Sequence, residues 1–271
     1  MRMQEVEFCG LRISVCVAED VHADQSAMFF DRLRPYLSER GSPTGQEGPG
    51  GSRIALLADP SSSAALVVSR SIHIDAENSG SLDLLQTLRR ACAMWLVQSG
   101  GLLLHGASVE LNGRALALVG PSGAGKTTIA RRLRAAGAHV IGDEVVALRA
   151  SRLFGHPLQR RLGDGVAPAR GVELSGIALI AQSAVGAPVS LKQLSAPQGA
   201  RQLIRRVFMP PAEGPLVAAA LESCERLSEA VPVYSLSLTN DERATEAVLS
   251  LFRRPSPVVS AAQPALAEVL Q

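Results

Sequence analysis

Hydrophobic and polar positions divide the chain into two textures. Between Val6 and Val17 they alternate in part, predicting an opening strand or hairpin. Residues 41–52 are almost wholly turn formers and predict a mobile loop. Ile54–Leu57 and Ala64–Val68 read as further strands on either side of an Asp59-Pro60 turn. Ser81 is a suitable cap for a helix over 82–98, where Leu84, Leu88, Cys92 and Trp95 recur at helical spacing. Residues 1–98 therefore read as a small, mainly β region ending in a helix, with no recognisable catalytic pattern.

From Gly100 the rhythm becomes strand, loop and helix. Leu102–Val109 and Arg114–Val119 are apolar runs joined by Asn112-Gly113, a strong signal for a tight β-hairpin. Ile129 and Leu133 lie on one side of a helical stretch with arginines on the others, and Gly137 stops it. His139–Gly142 is a short strand ending in Asp143-Glu144, and Val145–Leu148 follows. Further strands are expected at 177–180, 189–191 and 231–236, then a last helix near 240–253 capped by Asn240. These elements delimit an α/β domain over 99–254, followed by a Pro/Ser/Ala-rich flexible tail over 255–271.

Composition narrows the function classes. Aromatics are only 3% of residues, so little surface is available for stacking on bases, and a net charge of +2 implies no polyanion. Nucleic acid is therefore not an expected partner. The four cysteines are scattered without a C-x-x-C pair, which argues for reduced thiols and against zinc. No apolar stretch reaches the ~18 residues of a membrane span, and the start lacks the apolar core of a secretion signal. The expectation is a cytoplasmic protein without a membrane partner.

The chemistry begins at Gly120-Pro121-Ser122-Gly123-Ala124-Gly125-Lys126-Thr127, which spells G-x-x-x-x-G-K-T between a predicted strand and a predicted helix. Glycines there let backbone N–H groups turn around a β-phosphate, and the helix N-terminus adds positive potential. Residues 120–128, Thr128 included, would hold the phosphates of ATP. Lys126 would reach the β- and γ-phosphates, and the Thr127 hydroxyl would ligate Mg²⁺. Asp143 and Glu144 stand at a strand end that would abut this loop. Such a pair is ordinarily a solvated turn, but here it allows one carboxylate to organise the metal and the other to take a proton. A lone strand histidine such as His105 is ordinarily structural, and Glu173 carries no signal alone.

Taken in order, His105-Gly106, the phosphate loop, its helix, the paired carboxylates and Glu173-Leu174-Ser175-Gly176-Ile177 resemble the catalytic domain of the HPr kinase/phosphorylase family. That family is related in fold to phosphoenolpyruvate carboxykinases, and the resemblance spans about 100–250. It implies a P-loop kinase core of that type behind the small β region. It also implies that Asp143 exchanges a proton with a serine hydroxyl, that His105 beside it modulates the charge, and that Glu173 helps bind Mg²⁺. The chain departs from the pattern at Glu144, where aspartate is usual, at Thr127 for serine, and at Ser175 for the signature arginine. The later segments, including Pro157–Leu162 and Val231–Leu236, look more like stand-alone relatives of that family. Some of these occur in peptide-maturation gene clusters and phosphorylate lasso-peptide precursors at a terminal serine.

Arg160, Arg205 and Arg206 are candidates to contact phosphate or an acidic substrate, since phosphoryl transfer needs cations besides Lys126. The expectation is an ATP- and Mg²⁺-dependent serine kinase. Asp143, His105 and Lys126 would be catalytic, and Thr127, Glu144 and Glu173 would lie on the metal side. Its substrate would be a peptide or small protein, and the resemblance also points to a homo-oligomer. A small-molecule kinase and a nucleotide-switched regulatory module are the alternatives.

Overall fold

The computed structural model describes residues 2–9, 11–17, 52–57, 66–68, 71–75, 81–156, 171–183, 188–208, 214–238 and 242–253. Of the expected loop over 41–52 all but Ser52, which starts a strand, lies outside them, as do the Asp59-Pro60 turn, Pro157–Leu162 with Arg160, the Asn240 cap and the tail from 255.

The N-terminal strands form one sheet. β1 (Arg2–Phe8) and β2 (Leu11–Val17) make the expected antiparallel hairpin. β3 (Ser52–Leu57), β4 (Leu66–Val68) and β5 (Ser71–Asp75) complete five strands in the order β1-β2-β3-β5-β4. Helix α1 (Ser81–Gln98) follows. Its Cys92, Trp95 and Leu96 are buried, and it packs on the first strand and on a later helix of the second sheet. The helix read as the end of the N-terminal region is thus packed with the domain beyond it. None of the described helices is long and apolar enough to cross a membrane.

The second sheet has eight strands and carries the candidate chemistry. β6 (Gly101–Leu111) and β7 (Arg114–Val119) form a hairpin with Leu111 opposite Arg114. Asn112 and Gly113 have φ of 54° and 76°, the two positive values that a tight turn matching strand twist demands. β8 (His139–Gly142), β9 (Val145–Arg149) and β10 (Arg152–Phe154) come next, then β11 (Val172–Gln182), β12 (Ser190–Gln193) and β13 (Val233–Leu238). The order is β10-β9-β6-β7-β11-β13-β12, with β8 also on β6. β7, β11 and β13 run parallel and the other pairings are antiparallel. β10 pairs with both β9 and β11, which closes β9, β6, β7, β11 and β10 into a ring.

Strand alternation explains the two hydrophobic layers, because successive side chains leave a strand on opposite faces. Leu116 and Leu118 join Ile129 and Leu133 of α2 (Lys126–Ala135) and Val248 and Leu251 of α5 (Glu242–Arg253). On the other face, Ala115, Ala117 and Val119 pack with Leu203 of α3 (Ala196–Ile204) and Cys224 and Leu227 of α4 (Gly214–Ala230). α2 ends as its glycine predicts. Gly137 has φ 93°, its N–H donates to the Arg134 carbonyl, and that of Ala138 donates to the Leu133 carbonyl. The architecture is mixed α/β, with a mixed sheet and five helices among the described residues.

Two helices and two strands, β5 and β10, exceed what the pattern announces. β10 is only three residues long. α3 has a local start signal, since Gln198 Oε1 accepts the Ser195 backbone N–H at 3.2 Å. α4 is alanine-rich, and its stripe of Ala220, Cys224 and Leu227 becomes a core face only because the sheet lies beneath it.

Candidate active site

The glycine loop runs from the end of β7 into α2, and its shape follows from its residues. A Cβ on Gly120 would stand 2.5 Å from the Ile180 carbonyl oxygen, so only glycine lets β7 turn this close to β11. Gly123 and Gly125 have φ of 78° and 93°, the left-handed region that other residues enter at a cost. The tip, Pro121 to Gly123, is exposed, and Gln182 at the end of β11 ties it down by donating to the Gly123 carbonyl at 2.7 Å. Lys126 is buried in the first turn of α2, and its Nζ donates to the Gly120 and Pro121 carbonyls at 2.9 and 2.7 Å. Burial lowers the pKa of this ammonium, and the negative charge of Asp143 opposes that shift.

The two carboxylates at the end of β8 have separate partners. Thr127 Oγ1 donates to Asp143 Oδ1 at 2.7 Å. Glu144 Oε1 instead accepts from Arg89 Nη2 at 3.1 Å, so its charge is committed to α1 and not to the threonine. The arrangement of a hydroxyl and a carboxylate in contact is one of hard oxygen donors, which suits Mg²⁺. Among the described residues no three His, Cys, Asp or Glu side chains are grouped to hold a metal. An ion here would therefore take its other ligands from phosphate and water.

His105 lies on β6 beside this turn. A Cβ on the following Gly106 would stand 2.6 Å from the Leu118 carbonyl oxygen, which is why the histidine is followed by glycine. The Gly106 N–H donates to the Glu144 carbonyl at 3.2 Å. Burial lowers the His105 pKa first and the charge of Lys126 second, partly opposed by Glu144, which leaves the ring neutral near pH 7. The resemblance sets His105 beside Asp143. Here its carboxylate neighbour is Glu144, because Asp143 is turned to Thr127.

Glu173 requires a larger correction. It stands in register with Arg114, at the start of β7, while the phosphate loop leaves the other end of that strand. At the usual rise per residue this is ~17 Å of strand, so the parallel pairing carries Glu173 away from Thr127. Ser175 sits at a bulge between Leu174 and Gly176, and its Oγ accepts from Arg114 Nε at 2.8 Å. That contact lies towards the strand ends opposite the loop.

Arg205 and Arg206 do reach the loop's neighbourhood. Leu104 bridges to Val207, and the Phe208 N–H donates to the Leu103 carbonyl at 2.7 Å. The segment after α3 thus lies along β6 next to the start of the phosphate loop. A cavity of ≈ 430 Å³ opens there, lined by His105, Gly120, Pro121, Arg205, Arg206 and Phe208, among others. Sequence reading missed Arg89, whose guanidinium also lies 5.5 Å from the centre of the Phe208 ring. A polar position on an amphipathic helix ordinarily faces water, so nothing local marked it. Gln182 was equally silent.

Against known proteins, the model of a family described as SynChlorMet cassette protein ScmC matches residues 73–253. The matched span takes in α1 with Arg89 and the whole second sheet. No curated protein matches the chain.

Proposed function

The chain belongs to the ScmC family, and we propose that it is a Mg²⁺-dependent kinase that transfers the terminal phosphoryl group of ATP to a serine hydroxyl of a peptide or small protein. The observation that carries this reading is the 2.7 Å hydrogen bond from Thr127 to Asp143 at the head of α2, beside the buried Lys126. It brings the carboxylate that follows β8 to the threonine that follows the glycine loop, next to a cavity lined by His105. The ordered likeness to the HPr kinase/phosphorylase family, with its P-loop core, supports the same assignment.

In this reading the loop backbone over 120–128 and Lys126 bind the phosphates, and Thr127 and Asp143 hold Mg²⁺. The metal supplies charge neutralisation on the phosphates. The Thr127 hydroxyl engages Oδ1 of Asp143, and the other carboxylate oxygen is Oδ2. That oxygen is the acceptor for the serine proton as the O–P bond forms and the bond to ADP breaks. His105 lines the acceptor side as a neutral group, and the bond from the adjacent Gly106 N–H to the Glu144 carbonyl holds the turn carrying Asp143 in place. Most of the work is positioning.

The test is incubation with γ-labelled ATP, Mg²⁺ and serine peptides, foremost any short precursor encoded beside this gene. Label on a peptide serine, lost in Asp143→Asn while ATP still binds, is the expected result. Asp143→Asn transferring at the wild-type rate would sink the base assignment. The cavity's size suits one side chain or one small metabolite, so label appearing only on a metabolite would favour the small-molecule kinase instead. Binding of ATP that alters affinity for a partner without transfer would indicate a regulatory module.

A further inference from the structure

The charges around the loop do not balance. The charge of Asp143 faces Lys126, and that of Glu144 is paired with Arg89. The Arg205 side chain is exposed and has no hydrogen-bond or ion-pair partner among the described residues, only its backbone N–H being engaged, by the Leu203 carbonyl. Arg206 spends Nη1 on the Gln202 carbonyl and Oε1, at 2.7 and 3.1 Å, both uncharged acceptors. Its Nε is buried without a hydrogen-bond partner. Burial lowers the Arg206 pKa and the adjacent Arg205 lowers it further, the signature of a cation held in place without a counter-charge.

Two neighbouring guanidinium groups repel, and a buried donor left unpaired is costly, so native proteins seldom keep either without a ligand. Both line the cavity that contains His105, Gly120 and Pro121. Their backbone is fixed there, since the Arg206 carbonyl accepts the His105 N–H at 3.4 Å and the next residues pair with β6. We propose that Arg205 and Arg206 form an oxyanion subsite of this cavity, built to take a group with paired oxygens. Guanidinium forks bind such groups in a bidentate way, as a lysine cannot. Two sources have that chemistry: the terminal phosphoryl group of the nucleotide, and a carboxylate of the acceptor. Naming these sources rests on the kinase reading, while the subsite itself rests only on the cavity and its arginines.

Calorimetric titrations of the full-length wild type, Arg205→Gln, Arg206→Gln and the charge-preserving Arg206→Lys test it. Each is titrated with Mg·ATP and Mg·ADP, then, with Mg·ADP present, with N-acetylserine and its neutral amide. If the phosphoryl group is the source, the glutamine variants lose roughly tenfold in ATP affinity, as for a charged hydrogen bond, and keep that for ADP. If the acceptor carboxylate is the source, both nucleotides bind unchanged, and the wild-type preference for N-acetylserine over its amide disappears. Arg206→Lys restores part of either effect, which a general loss of fold does not allow. If neither the ATP/ADP ratio nor the acid/amide ratio moves in either glutamine variant, the subsite is overturned. Should the wild type bind no nucleotide, the kinase reading falls. The subsite is then judged by pyrophosphate, whose binding the variants must weaken or the proposal fails too.

Discussion

Arg89 of α1 reaches the candidate site, and its contribution can be separated from the rest of the fold. Its side chain is 14% exposed and that of Glu144 35% exposed. At ~4 Å and an effective dielectric near 20 their attraction is about 4 kcal/mol. Desolvation and side-chain ordering cancel most of it, and the glutamate is open enough to be screened, so a net coupling of about 1 kcal/mol is expected. The contact with Phe208, at 5.5 Å, adds about 0.5 kcal/mol. The buried, unpaired Nε works the other way, since its removal relieves a cost. Arg89→Met should therefore destabilise by about 1.5 kcal/mol and Glu144→Gln by about 1 kcal/mol, with the double variant costing little more than Arg89→Met alone. Trp95 is the chain's single tryptophan, and it is buried on the same helix. Its fluorescence during urea unfolding thus reports on this helix's packing, provided the m-value stays constant. The coupling should shrink in 1 M salt, where the screening length is ~3 Å. A coupling below about 0.3 kcal/mol, indistinguishable from independent sites, would refute the pairing as a determinant of stability.

Three further outcomes follow from the same geometry. Lys126→Met should weaken Mg·ATP binding roughly hundredfold, the worth of two charge-assisted hydrogen bonds, and unchanged affinity by calorimetry would disprove the loop assignment. His156 is buried and its pKa is lowered from 6.5 to about 3, by burial first and Arg89 second. The unfolded chain then binds its proton more readily, so stability is full above pH 6.5 and falls by ~1.4 kcal/mol per unit towards pH 3. His156→Gln should flatten that limb in acid unfolding, and an unaltered slope would assign it elsewhere. Gly106→Ala would place Cβ 2.6 Å from the Leu118 oxygen, whereas at Gly123 a Cβ meets nothing within 4 Å. The first should cost about 3 kcal/mol and the second about 1 kcal/mol, from its positive φ alone, and the reverse order in urea midpoints would show the β6–β7 contact to be looser.

Several elements were legible because their signals are local. The Asn112-Gly113 turn, the glycine loop and the Gly137 stop each depend on the conformations a few adjacent residues can adopt, and all three sit where the sequence puts them. β7 was legible for a related reason, since its apolar run meets two layers at once. α3 carried its own cap in Ser195 and Gln198, a weaker local signal. α4 had none of comparable strength.

The sequence by itself determined the glycine loop of the candidate site, for a strand, a glycine-rich turn and a helix encode their geometry within one continuous segment. What it left open were the partners across the sheet. Only the tertiary structure decided that Asp143 turns to Thr127 while Glu144 turns to Arg89, and that Arg205 and Arg206 lie beside His105. It also decided that parallel pairing with β7 puts Glu173 level with Arg114, at the far end from the loop. The physical reason is range. Backbone conformation is set by neighbours in sequence, whereas strand register and the meeting of charges are set by which distant apolar faces bury together.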